Sequence, residues 1–249
     1  MAQPTAHSAP VRRPPVEAEQ GALARGFGLL AKAVVWLLAS LILSILIEWA
    51  GLIWWWPEQG LDHSRGMLAA EVGYLDRDFR RSVVTSSPAR FAQGIADATY
   101  HYLFEATGFV AFLNWAEADP ATTTNKLQPY LHAVVTPLST FILAAMTITQ
   151  VFSLRVAILT LALPAFVLAG LAGMVDGLVQ RDLRRWGGGR ESSFLYHHAK
   201  RTVLPTFVVA WILYLALPFS VHPSLVILPF AALFGVSVAV TTSTFKKYL

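Results

Sequence analysis

Three side chains on one stretch of the chain have the types and spacing to do chemistry. Asp97, His101 and Glu105 recur every four residues, so on a helix they share one face. A carboxylate–imidazole–carboxylate stripe can bind a metal ion or relay protons, particularly inside a membrane. The competing account is the polar face of an amphipathic surface helix. That account is preferred, because one helix supplies few ligands and no partner set stands elsewhere in the sequence. Adjacent His197 and His198 would point about 100° apart on a helix, which suits an interface better than a shared ion. Glu48 lies near the end of a long apolar run and reads as an interfacial carboxylate, with an intramembrane ion or proton site as the sharper alternative. His63, His132 and His222 stand isolated and receive no role.

The familiar enzyme signatures are missing. There is no G-x-x-x-x-G-K-[ST] loop, no H-E-x-x-H, no G-x-S-x-G and no dinucleotide fingerprint. Gly187, Gly188 and Gly189 follow a basic stretch with no strand before them, so they read as a linker rather than a phosphate loop. The chain has no cysteine, which removes disulfides, thiolate metal sites and a thiol nucleophile. The expectation is a non-enzymatic protein with neither a metal nor another cofactor.

The elements that would position these residues are membrane helices. Of 249 residues, 55% are hydrophobic and only 14% charged, whereas a soluble domain carries about 25% charged residues. Mean hydropathy is +0.52, and several apolar runs reach the ~20 residues that cross a bilayer. A net charge of +4 would also suit nucleic acid. However, the basic residues gather at the ends of apolar runs, where the positive-inside rule puts them.

The expected fold is all-α, a polytopic membrane helix bundle with five clear spans, a sixth left open, and an amphipathic helical hairpin insert. Residues 1–28 form a Pro-rich, basic tail of disordered composition. Residues 29–56 are the first, uncleaved span, ending on Trp54, Trp55 and Trp56 at headgroup level. Residues 57–130 are the polar insert. Its first helix carries Leu68, Val72, Leu75, Phe79 and Val83 at helical spacing. Ser87 and Pro88 provide an N-cap and first position for the second, which runs to about Trp115. Residues 131–179 are a transmembrane hairpin, Leu131–Phe152 and Val156–Val179, turned at Ser153, Leu154 and Arg155. Residues 180–202 are a basic loop, 203–243 a second hairpin broken at His222 and Pro223, and 244–249 a basic tail. Within the third span Ala165, Ala169, Gly173 and Gly177 are four apart, a stripe that lets helix backbones approach closely, within the chain or between copies.

The charges fix one orientation and expose a conflict. Arg181, Arg184, Arg185, Arg190, Lys200 and Arg201 outnumber Asp182 and Glu191 in 179–202, which places that loop in the cytoplasm. Lys246 and Lys247, two spans later, agree. Counting back through five spans puts the N-terminus outside, although Arg12, Arg13, Arg25 and Lys32 flank the first span. A sixth crossing over 94–115 would restore the parity. It contains Asp97, His101 and Glu105, and an ionised carboxylate at a span centre costs about 2.5–3.5 kcal/mol.

The segment VDGLVQRDLRRWGGGRESSFLYHHAKR, Val175 to Arg201, resembles the signature of the integrating conjugative element membrane protein family. The resemblance extends from about Gly26 onward, and only this segment is specific. It implies an inner-membrane protein encoded with conjugative transfer functions, near the coupling ATPase that brings DNA to a type IV secretion channel. Its expected partners are the lipid bilayer and other conjugation-apparatus membrane proteins or that ATPase; direct DNA contact and homo-oligomers stay open. The interaction surface would be Arg181, Arg184, Arg185, Arg190, Tyr196, His197, His198, Lys200 and Arg201. Two rivals are a small channel or transporter using Glu48 or the Asp97–His101–Glu105 stripe, and an exclusion or immunity protein acting in the recipient.

Overall fold

A computed structural model describes residues 22–78, 84–119, 127–187 and 193–245. The elements are α1 (Ala22–Trp54), α2 (Leu61–Asp78), α3 (Pro88–Tyr100), a π-helical turn over His101–Glu105, α4 (Phe109–Glu117), α5 (Gln128–Trp186), α6 (Ser193–Ala216) and α7 (Pro223–Ser243). The described residues are all-α. Among them three helices are long and apolar enough to cross a membrane, in α1, α5 and α7, which corrects the expected five or six.

The largest correction is α5. The two spans expected over 131–179 are one unbroken helix of 59 residues, about 88 Å long at the usual rise per residue. No turn forms at Ser153, Leu154 and Arg155 because nothing there stops a helix: no Gly, Asn or Pro stands at the join, and Leu and Arg are good helix formers. Ser153 Oγ donates to Thr149 O one turn back at 2.8 Å. Arg155, expected in the turn, is instead buried sideways against another helix. Pro137 and Pro164 lie inside α5, as packed membrane helices tolerate.

The first half of α5 is the spine of a helical head. Val135 and Met146 pack with Leu113 and Ala116 of α4, surrounded by Tyr100, Phe104 and Phe109. Ile148 and Val151 pack with Met67 of α2 and Ile45 of α1. The buried face of α2 is Ser64, Met67, Glu71 and Leu75. That is the stripe next to the expected one: Leu75 is shared, Leu68 and Val72 are half-buried, and Phe79 and Val83 lie outside the described residues. Ser87 does occupy the N-cap of α3 with Pro88 at its start, yet its side chain makes no capping bond.

The stretch 94–115 is not a span. It is divided among α3, the π turn and α4. Gly108 at φ +76° supplies the left-handed residue that other side chains avoid and that sets α4 on a new course.

The second half of α5 is bundled with α6 and α7. A Cβ on Gly235 would stand 2.8 Å from Ala169 O, and one on Gly173 would strike the Gly235 backbone. One on Gly177 would strike Ala239 and Thr242. Numbers rise together along this seam, so α5 and α7 run parallel and α6 returns between them. Phe166, Phe207 and Phe234 join the three helices, with centroids 5.1 Å apart for Phe166–Phe207 and 6.1 Å for Phe166–Phe234. The outward face carries exposed Val167, Leu171, Val175, Leu204, Leu225 and Leu228.

Candidate functional site

The most organised chemistry in the molecule is a buried polar junction where the head meets the three-helix bundle. Arg155, at mid-length of α5, is 2% exposed, and Glu71 on α2 is fully buried. Arg155 Nε and Nη2 both reach Glu71 Oε1 at 2.9 Å. Its Nη1 donates to Leu217 O at 2.6 Å and Nη2 to Phe219 O at 3.0 Å. Those carbonyls lie just beyond the end of α6, where a helix leaves acceptors without intrahelical partners. Tyr214 donates its hydroxyl to Glu71 Oε2 at 2.9 Å, and its ring lies 5.5 Å from the guanidinium carbon. Ser220 Oγ donates to Met67 O at 3.1 Å. One guanidinium therefore joins α2, α5 and the α6–α7 connection. A buried charge stays in place only when paired and hydrogen-bonded, and each group here has its partners.

A second buried carboxylate lies close by. Glu48 of α1, 1% exposed, has both carboxylate oxygens 3.1 Å from His63 Nδ1 on α2. The Trp56 indole stacks on the His63 ring at 3.9 Å and 16°. Gly51 is required there, since a Cβ would run into the indole. Trp49 Nε1 donates to Phe141 O at 2.8 Å and Ser44 Oγ to Leu215 O at 3.1 Å, fixing the second half of α1 antiparallel to α5. A narrow crevice is lined by Ser44, Glu48, Met67, Arg155, Leu215 and Pro218. Holding helices together is what the junction does chemically, because Arg155, Glu71 and Tyr214 spend their donors and acceptors on one another and on backbone carbonyls.

Of the residues singled out in the sequence, Glu48 stands beside this junction and the others lie elsewhere. Asp97 is exposed on α3. His101 and Glu105 form an exposed pair at 2.8 Å across the π turn. Among the described residues no group of three His, Asp or Glu side chains could hold a metal ion.

The basic stretch over 180–202 is mostly helix. Arg181, Arg184 and Arg185 belong to α5, whose last turn holds Arg184 and Arg185, where cations favour the helix dipole. Arg181 lies 3.5 Å from Asp182. Trp186 is 93% exposed, and Arg201 is exposed on α6. Tyr196, His197, His198 and Lys200 are on α6, but their side chains lie outside the described residues. Arg190 and the tails 1–21 and 246–249 lie outside altogether. Gly173 and Gly177 are buried between α5 and α7, whereas Ala165 and Ala169 are half-buried.

Sequence reasoning missed Glu71, Arg155 and His63. Two of the three carried a signal. Glu71 is four residues from both Met67 and Leu75, so it shares their buried face. Arg155 is the lone charged residue between Leu131 and Val175, which in a membrane protein asks for a buried partner. His63 had none, since its partner Glu48 is on another helix.

No curated protein and no solved structure matches the chain. The sequence profile of the family described as IncC plasmid conjugative DNA transfer protein DtrJ-like matches residues 55–246, a range that covers α2 to α7 and with them the Glu71–Arg155 junction and the arginine-rich end of α5. By that match the chain belongs to the DtrJ-like family of conjugative DNA transfer proteins.

Proposed function

We propose that this conjugative transfer protein is a non-enzymatic, multi-pass component of the bacterial inner membrane, a scaffold or docking partner near the coupling ATPase of the DNA-transfer apparatus. The observation that carries the reading is the Glu71–Arg155 junction. It uses the chain's strongest buried charges to lock a helical head onto membrane-length helices, which suits a protein that transmits position. Exposed Arg185 and Trp186, with half-buried Arg181 and Arg184 beside them, offer a basic, aromatic surface to an acidic partner or to anionic headgroups. An integrating element is the genetic setting implied by the Val175–Arg201 segment, a finer statement than the plasmid-named family.

Deleting the gene from a donor should reduce mating transfer while excision of the element proceeds at its normal level. Restoring the gene with Arg181→Glu, Arg184→Glu and Arg185→Glu combined should fail to restore transfer although the protein accumulates in the membrane. Unchanged mating in the deletion strain would refute the reading. A rise in transfer seen only when the recipient lacks the gene would assign an exclusion role instead.

A further inference from the structure

We infer that the chain crosses the membrane four times, with both ends and the arginine-rich end of α5 in the cytoplasm and the helical head on the opposite side. The inference rests on the chain being an integral membrane protein and is independent of its role in conjugation.

The argument begins with length. At about 88 Å, α5 is nearly three times the ~30 Å hydrocarbon core, so only one part of it lies in lipid. Its first half is sheathed by α2, α3 and α4 and packs on α4 through Val135 and Met146. The stretch from Val156 to Val175 carries no charge, is about 30 Å long, and turns Val167, Leu171 and Val175 outward. It is bounded on one side by the Arg155 junction and on the other by Arg181, Arg184 and Arg185. That stretch is the crossing.

The neighbouring helices cross at the same level. The α6–α7 connection sits on Arg155 through Leu217 O and Phe219 O, and α7 reaches Gly177 near its end. Both helices therefore lie alongside the charge-free half of α5. The apolar part of α6, Arg201–Ala216, is shorter than the three membrane-length helices, and exposed Arg201 at its end suits a side chain that snorkels to the headgroups. The second half of α1 reaches the Arg155 level at Ser44, against Leu215, and continues to Phe141 in the head. The membrane segment of α1 therefore ends on the head side.

Counting then resolves the charge conflict. With α5 continuous, the hairpin over 131–179 counts as one crossing rather than two. The chain goes out through α1, back through α5, out through α6 and back through α7. An even number returns it to its starting side. Arg12, Arg13 and Arg25 near the start, Arg181, Arg184, Arg185 and Arg201 in the middle, and Lys246 and Lys247 at the end then fall on one side, which the positive-inside rule makes cytoplasmic. No sixth span is needed, and Asp97, His101 and Glu105 stay in water, where their exposure places them. A partner in the cytoplasm meets the side that carries the arginine-rich end and the chain ends, and one that binds the head must be extracytoplasmic.

The chain has no cysteine, so single cysteines report its topology without background. In the full-length protein, Asp62→Cys and Glu105→Cys on the head, and Gln20→Cys and Asp182→Cys at the other face, would be treated with a membrane-impermeant maleimide in intact spheroplasts. The expected result is labelling of the head positions, and loss of labelling at Gln20→Cys and Asp182→Cys that returns on permeabilisation. Labelling of Asp182→Cys before permeabilisation, or protection of both head positions, would overturn the topology. Release of the cysteine-free chain by alkaline carbonate would overturn it separately, by removing the membrane premise. A normal mating frequency in a deletion strain would bear on the proposed role alone.

Discussion

Arg155 shows how one residue can carry more structure than a whole motif. Its guanidinium satisfies a buried carboxylate and two carbonyls beyond a helix end at once, so removing it leaves Glu71 in the interior with the Tyr214 hydroxyl but without its cation. Breaking a buried pair from one side costs about 3–5 kcal/mol. Arg155→Ala and Glu71→Ala should each lower the detergent-solubilised melting temperature sharply and open the α6–α7 connection to protease. The double replacement Arg155→Met with Glu71→Leu should recover much of that loss, because apolar residues of similar volume often replace a buried pair at little cost. By contrast, Glu105→Gln should leave the melting temperature unchanged, since the exposed His101–Glu105 pair belongs to a class of contacts worth about 0–1 kcal/mol. Composition and spacing showed the Asp97–His101–Glu105 stripe but could not show that Glu71 and Arg155, 84 positions apart, meet in space.

At the scale of elements, the apolar runs were readable and their connections were not. The long hydrophobic stretch over 131–179 and the hairpin over 203–243 are evident from hydropathy alone. Whether a run of that length turns or continues depends on local stop signals, and hydropathy reads a charged residue in an apolar run as one. The helix continues because nothing at Ser153–Arg155 stops it, and Arg155 is kept inside by Glu71 on α2, a contact invisible to any local window. The continuous helix has a direct consequence. Leu154→Pro would remove a backbone donor in mid-helix and should cost about 3 kcal/mol or more, read as loss of the folded fraction in detergent, whereas a turn at that place would accept it. The α5–α7 seam behaves likewise. Gly173→Leu has no room beside the Gly235 backbone and should separate the helices. Gly66→Ala, in open space on α2, should stabilise by about 0.5–1 kcal/mol, so a thermal melt of the two variants should move in opposite directions.

For the whole molecule, one long helix links the parts that the sequence had divided among a polar insert, two hairpins and a loop. The head assembles on its first half, the bundle on its second, and its end carries the arginines that anchor orientation. Membership of a conjugative transfer family gives this frame a biological setting, and the proposed topology would make it a member that links an extracytoplasmic head to a cytoplasmic basic face. The central claim is the continuity of α5, since the proposed crossing count and orientation follow from it. Spin labels on Leu138→Cys and Val179→Cys, both exposed on α5, measure that continuity directly by pulsed dipolar spectroscopy. An unbroken helix places the two backbones about 60 Å apart. A separation of about 20 Å, as a hairpin turned at Ser153–Arg155 would give at the same rise per residue, would contradict it.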